Sequence, residues 1–254
     1  MRAESWDRLH RDFEDNVFDP VGSDLRGVFW RAVWKHGRNA RRVADFGCGT
    51  GRQLPRLARR FDRVVGIDFA HRLLEVARER IAGADNVDLR CADLRRGQRN
   101  LCDFDLGVCV NAWIMPRADE RRAMLRTLRR CLRPGAALIL VVPSLEAALF
   151  VNERLIEWNR RSGLRGRQIF REGIATTPAA ARDLLQGVID LDGSRTSHFL
   201  REQAHCALAE AGFRLLEEAR VEYPWDAYFH RPPAWLGEAH PWDWLFVARR
   251  EEGS

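Results

Sequence analysis

The sequence predicts an α/β fold: a doubly wound, mostly parallel seven-stranded sheet with helices on both faces and a closing antiparallel strand. Three observations carry this. Short apolar runs alternate with amphipathic helical stretches between residues 39 and 143, a pattern that builds parallel βαβ units. A glycine-rich turn, Gly47-Cys48-Gly49-Thr50-Gly51, stands between the first strand-like run and the first helical one. Two further strand-like runs, 213–223 and 244–249, close the chain.

Taken in order, residues up to about 37 read as a helical N-terminal flap with an apolar stripe of Val28, Phe29, Ala32 and Val33. Strand-like runs then fall at 42–45, 64–68, 87–91, 104–110 and 137–143, separated by helical patterns at 53–60, 71–81 and 119–132. Arg133-Pro134-Gly135 reads as a helix stop. The alternation then breaks. A helix over 145–161, a Gly/Arg-rich link over 162–173, a second helix over 178–186 and an Asp192-Gly193 hairpin signal make an insertion. A helix over 200–211, ended by Gly212, resumes the sheet pattern. The expected organisation is a flap (1–38), a Rossmann-like core (39–143), an inserted lid (144–199) and the C-terminal part of the core (200–254).

Composition narrows the function classes. At 46% hydrophobic residues, the 254-residue chain can bury a real core. No run approaches the about 18 apolar residues that span a bilayer, and the polar opening Met1-Arg2-Ala3-Glu4 is not a secretory signal. These readings point to a cytoplasmic protein without a membrane partner. The six cysteines form no C-x-x-C pair and the seven histidines no H-x-x-x-H pair. No metal is implied, and free thiols are expected. The net charge of +6 comes almost wholly from arginine, Lys35 being the only lysine. Acidic residues break up the longer basic clusters and no aromatic-interleaved basic tail appears, which argues against nucleic acid as a partner.

The glycine turn carries the chemistry. Its spacing is G-x-G-x-G, with Arg52 and Gln53 where a dinucleotide-binding G-x-G-x-x-G would continue. A pyrophosphate needs a third close backbone approach at that later position, so an NAD-dependent oxidoreductase is disfavoured. The missing Tyr-x-x-x-Lys pair points the same way. Asp68 lies at the end of the second strand-like run, 23 residues beyond Asp45, where an acidic side chain can accept hydrogen bonds from both hydroxyls of a ribose. Its alternative role is to cap the helix that starts near Ala70. Phe69 could pack on an adenine face.

With Asp45 two places before its first glycine, this run resembles motif I of class I S-adenosylmethionine-dependent methyltransferases. The Leu132-Arg133-Pro134-Gly135-Ala136 element resembles the family's L-x-P-G-G-x-L motif, with Ala136 for the second glycine. The resemblance covers residues 39–144 closely and 200–249 loosely. It implies S-adenosylmethionine as cofactor, with Gly47, Gly49 and Gly51 in the cofactor loop and Asp45 close to the donor's ammonium group. It also implies Asp93 at the adenine amino group with Leu94 over the ring. Asn111 stands near the methionine end, with Trp113 as a wall of the methyl-transfer site. The run Asn111-Ala112-Trp113-Ile114 departs from the Asn/Asp-Pro-Pro-Tyr/Phe signature, which argues against methylation of adenine or glutamine amide nitrogens.

Methyl transfer from a sulfonium needs mainly positioning and water exclusion. Should a general base be used, the candidates are His198, His205, Tyr228 and His230, with His198 first because it stands between the hairpin and the following helix. The aromatic stretch from Tyr223 to Trp235, with Trp225, Tyr228 and His230, is expected to line the acceptor pocket. Trp6, Trp30, Trp34 and Trp158 supply further indoles for capping it. The insertion is expected to close over the site as a lid hinged at Gly163 and Gly166, or else to serve as a dimerisation arm. The expected activity is methylation of a small-molecule acceptor by a monomer or homodimer. The alternatives are a protein or RNA methyltransferase and a catalytically silent S-adenosylmethionine-binding partner.

Overall fold

The computed structural model describes residues 18–98, 100–171, 173–174, 177–191 and 194–252. Seven strands form one sheet: β1 (Arg42–Phe46), β2 (Arg63–Asp68), β3 (Val87–Cys91), β4 (Phe104–Val110), β5 (Leu132–Pro143), β8 (Phe213–Glu222) and β9 (Trp242–Arg250). Their order is β3-β2-β1-β4-β5-β9-β8. The first five run parallel, and β9 lies antiparallel to both of its neighbours. Chain order reverses between β1 and β4, so the carboxyl ends of these two strands splay their loops apart and leave a crevice.

Alternation along the central strands explains why helices cover both faces. Leu138, Leu140 and Val142 of β5 join one core, and Ala137, Ile139 and Val141 the other. The first core is completed by Met124, Leu125 and Leu128 of α4 (Ala118–Cys131) and by Ala204 and Leu208 of α7 (Arg201–Glu210). The second takes Phe29 and Val33 of α1 (Val28–His36), Leu54 and Leu57 of α2 (Leu54–Ala58), and Leu74 and Ala77 of α3 (His71–Arg80). Strands covered on both sides are the signature of a buried parallel sheet.

Several expected boundaries shift. The Arg133-Pro134-Gly135 segment does end α4, but it does not form a loop. The strand takes over at Leu132, with a register irregularity between Phe104 and Leu106 of the neighbouring β4. Among the flap's described residues, turns fall within 20–26 and Val28–His36 is helical. Residues 1–17, with Trp6, lie outside the described residues.

The insertion leaves and rejoins the sheet at one point. Ser144 and Phe199 form a parallel bridge, and the Phe199 amide donates to Pro143 O (2.8 Å). Between them, α5 (Leu145–Arg161) is capped by the Ser144 hydroxyl, which accepts from the Ala147 amide at 3.0 Å. The helix α6 (Pro178–Leu184) and the antiparallel pair β6 (Val188–Leu191) and β7 (Ser194–Ser197) follow. The hairpin's Asp192-Gly193 tip lies outside the described residues. Leu145, Ala148 and Ile189 form a small core of the insertion's own.

Candidate functional site

One cavity opens at the carboxyl ends of β1, β2 and β4, enclosing about 1010 Å³ including its open mouth. Its floor is the glycine turn. Gly47, Gly49 and Gly51 all hold positive φ (77°, 52° and 75°), and the Gly47 and Cys48 amides both donate to Ile67 O. A side chain at Gly47 has no room, since its Cβ would stand 2.2 Å from the Cβ of Ala112. The glycine therefore lets the β1 and β4 loops touch. Gly51 does not line the cavity; a Cβ there would meet Ala77 and Leu54, each at 3.0 Å, so it serves helix packing.

Asp68 reaches across from β2. Its Oδ2 accepts from the Gly49 amide (3.0 Å) and its Oδ1 from the Ala70 amide (2.9 Å). The carboxylate thus pins the turn and the start of α3 while lining the cavity. The N-cap of that helix is Ala70 itself, so Asp68 ties the helix start to the turn without being its cap.

Asp45 sits behind the turn and outside the cavity lining, 1% exposed, with Oδ2 buried and without a partner among the described residues. Its pKa is pushed up to about 7, first by burial and then by the Asp68 charge. A raised carboxyl pKa means the folded state holds a proton that the unfolded chain releases near pH 4. The stability linked to it is intact below that value and is lost as pH rises through about 7. Asp45→Asn is therefore expected to raise the unfolding temperature of the ligand-free protein at pH 8, with a gain of about 1–3 kcal/mol in stability. Thermal unfolding of the two ligand-free proteins at pH 5 and pH 8 reads the effect, with the gain confined to the higher pH.

Phe69, Leu73, Ala92 and Leu94 make one apolar wall. Asp93 also lines it, but its carboxylate is occupied. Arg95 donates to both oxygens, from Nε at 2.9 Å and Nη2 at 2.8 Å. Burial raises the Asp93 pKa, but the Arg95 hydrogen bonds and charge outweigh it and hold the group below the usual carboxylate range. Arg95, which sequence reasoning missed, also lies 5.3 Å over the Phe69 ring.

On the far side stand Asn111, Ala112, Ile114, Met115 and Met124, with Phe18, Asp19 and Pro20 from the N-terminal segment. Asn111 holds φ 47°, a left-handed conformation that asparagine tolerates. That turn sends Trp113 away from the cavity. Instead of forming a wall, Trp113 is 2% exposed, stacks on Phe199 (4.5 Å, 14°) and donates from Nε1 to Arg121 O at 2.9 Å.

The remaining expected pocket residues lie elsewhere. Trp225 packs with Val151 and Leu236 under α5, and His230 is exposed. Tyr228 is 43% exposed and stacks on Tyr223 (5.8 Å, 6°). Phe18 packs edge-on against Tyr223 at 4.5 Å, so the tyrosine pair backs the cavity without lining it. His198 is 6% exposed and absent from the lining; burial pushes its pKa down to about 4 and leaves Nδ1 without a partner among the described residues. His205, midway along α7, pairs with Glu218 of β8. A base role is unsupported for either.

No described residue of the insertion lines the cavity, contrary to the lid expectation. The hairpin instead supports the cavity wall from outside. Ser197 donates from N to Ile114 O (2.8 Å) and from Oγ to Met115 O (3.0 Å). The buried Arg121 donates from Nη1 to Met115 O, Pro116 O and Ser197 Oγ, at 2.6, 2.8 and 2.7 Å. Sequence reasoning missed this clasp because its parts lie 76 residues apart. No cluster that could hold a metal occurs among the described residues, and none of their helices is long and apolar enough to cross a membrane.

Residues 43–135 match a family model described as a methyltransferase domain. The chain is 27% identical over 142 residues to dTDP-4-amino-2,3,4,6-tetradeoxy-D-glucose N,N-dimethyltransferase of Saccharopolyspora spinosa, covering 52% of this chain and 53% of the relative. It is 26% identical to tRNA 5-carboxymethoxyuridine methyltransferase of Escherichia coli, over 60% of this chain and 61% of the relative. The match thus spans less than two-thirds of either relative. Among solved structures, a SAM-dependent methyltransferase from Anabaena variabilis superposes with a TM-score of 0.65 at 18% identity, over 98% of this chain and 95% of that one.

Proposed function

We propose, for a chain whose methyltransferase domain belongs to the class I S-adenosylmethionine-dependent family, that it transfers the donor's methyl group to a small-molecule acceptor. The observation that carries this reading is the cavity itself. Its glycine floor, the Asp68 carboxylate and the apolar Phe69–Leu94 wall fit an adenosine. The buried acceptor Asn111 Oδ1, on a residue that lines the cavity and without a partner among the described residues, fits the donor's ammonium end. Bound there, the sulfonium supplies an electrophilic methyl, and the chain's own residues bind, orient and exclude water. Ile114, Met115, Met124 and Phe18 make the facing wall apolar, which suits a compact acceptor. Similarity to an amino-sugar methyltransferase supports the same class.

A nucleic-acid acceptor is the second reading, favoured by one feature. A groove of about 990 Å³, including its open mouth, shares Asp19, Arg52 and Gln53 with the cavity. It presents the stacked Trp30–Trp34 pair (5.0 Å, 23°) with Arg56 4.4 Å over Trp30. Arginines and indoles together are what stacked bases and phosphates require. The purified chain, given S-adenosylmethionine and either a small-metabolite extract or total tRNA, decides between them. Release of S-adenosylhomocysteine is expected only with the metabolites. Release only with tRNA selects the second reading, and release with neither overturns the enzymatic assignment.

A further inference from the structure

At the start of β9, opposite Pro143, Asp243 is 4% exposed and belongs to none of the motifs used so far. Three donors converge on it. Asn111 Nδ2 donates to its Oδ2 at 2.9 Å, the Tyr223 hydroxyl donates to its Oδ1 at 3.3 Å, and the Ser144 amide contributes a backbone hydrogen bond. An acceptor-only carboxylate surrounded by donors leaves the Asn111 amide one orientation, with nitrogen toward Asp243 and oxygen away from it. That oxygen, Asn111 Oδ1, is buried and has no partner among the described residues, while Asn111 lines the cavity. Its left-handed backbone and the backbone amide's hydrogen bond to Val141 O (3.0 Å) fix the side chain's root as well. An unsatisfied buried carbonyl is costly unless a ligand supplies the missing donor.

We propose that Asp243 is a positioning residue that holds the Asn111 carbonyl toward the cavity to accept an N–H of the ammonium group at the amino-acid end of the methyl donor. Asp243 itself touches no ligand. It acts through Asn111, and Tyr223 braces it from the other side, tying the end of β8 to the wall that Phe18 completes. This inference rests on the S-adenosylmethionine reading of the cavity.

Calorimetry on the full chain with two probes tests it. S-adenosylhomocysteine carries the amino-acid end; 5′-methylthioadenosine has the same adenosine without it. Asp243→Leu, which removes the acceptor, is expected to weaken S-adenosylhomocysteine about tenfold and to leave 5′-methylthioadenosine within about twofold. Asp243→Asn can still accept from Asn111 and is expected to restore most of the affinity. Should Asp243→Leu fail to fold, Asn111→Gly gives the same selective loss, because glycine suits the positive φ. Equal weakening of both probes, or of neither, overturns the proposal. A parent protein that binds neither probe overturns the cofactor reading instead.

Discussion

Gly47→Ala is expected to abolish measurable binding of S-adenosylhomocysteine, with affinity lost by about 100-fold or more, and to destabilise the fold by about 3 kcal/mol. Two costs combine. The residue holds φ 77°, where a Cβ strains the backbone by about 1 kcal/mol. The larger cost is the 2.2 Å approach to the Ala112 Cβ, a distance that real Cβ atoms essentially never show. Relief requires the β1 loop or the β4 loop to move, and both line the cavity. Gly135→Ala separates the two costs, since Gly135 has φ 79° but a Cβ added there meets nothing within 4 Å. Chemical denaturation and calorimetry of the two variants make the comparison. A Gly47→Ala protein no worse than Gly135→Ala would mean that loop contact does not shape the site.

Asp68→Ala carries the second large effect. It removes the acceptor for two amides, Gly49 and Ala70, and leaves both N–H groups unsatisfied in a buried place. Each such group costs about 1–3 kcal/mol. The glycine turn loses its tie to β2, and the proposed ribose contacts go with it. Affinity for S-adenosylhomocysteine is expected to fall about 30-fold or more, with a stability loss of about 2 kcal/mol. Because the carboxylate faces the adenosine half, 5′-methylthioadenosine is expected to weaken to the same degree. That pattern is opposite to the one expected for Asp243→Leu. Retained affinity for both ligands in a folded Asp68→Ala protein would show that the ribose lies elsewhere.

The sheet and the cavity floor were legible in the chain alone. Strands 87–91 and 104–110 and the helix 145–161 have their expected bounds, because short strand-like runs and amphipathic spacing on helices are local patterns. Gly47, Gly49, Asp68, Phe69, Asp93, Leu94 and Asn111 line the cavity for a related reason. They follow directly from the ends of parallel strands, so their position in the chain is nearly their position in space.

Beyond the strand ends, three-dimensional packing took over. Trp113 follows a left-handed Asn111 that rotates it into the core, and no composition or periodicity records a φ of 47°. Asp243 stands 132 residues after Asn111 and meets it only because β9 slots between β5 and β8. Arg121 and Ser197 clasp the cavity wall across the insertion in the same way. The aromatic tail looked like a pocket by composition. Its rings instead satisfied one another, with Trp225 against Phe229 and Tyr223 against Tyr228, because clustering buries their faces as well as a ligand would. Side chains whose role depends on partners distant in sequence are set by packing geometry, and a local reading of the chain has no access to it.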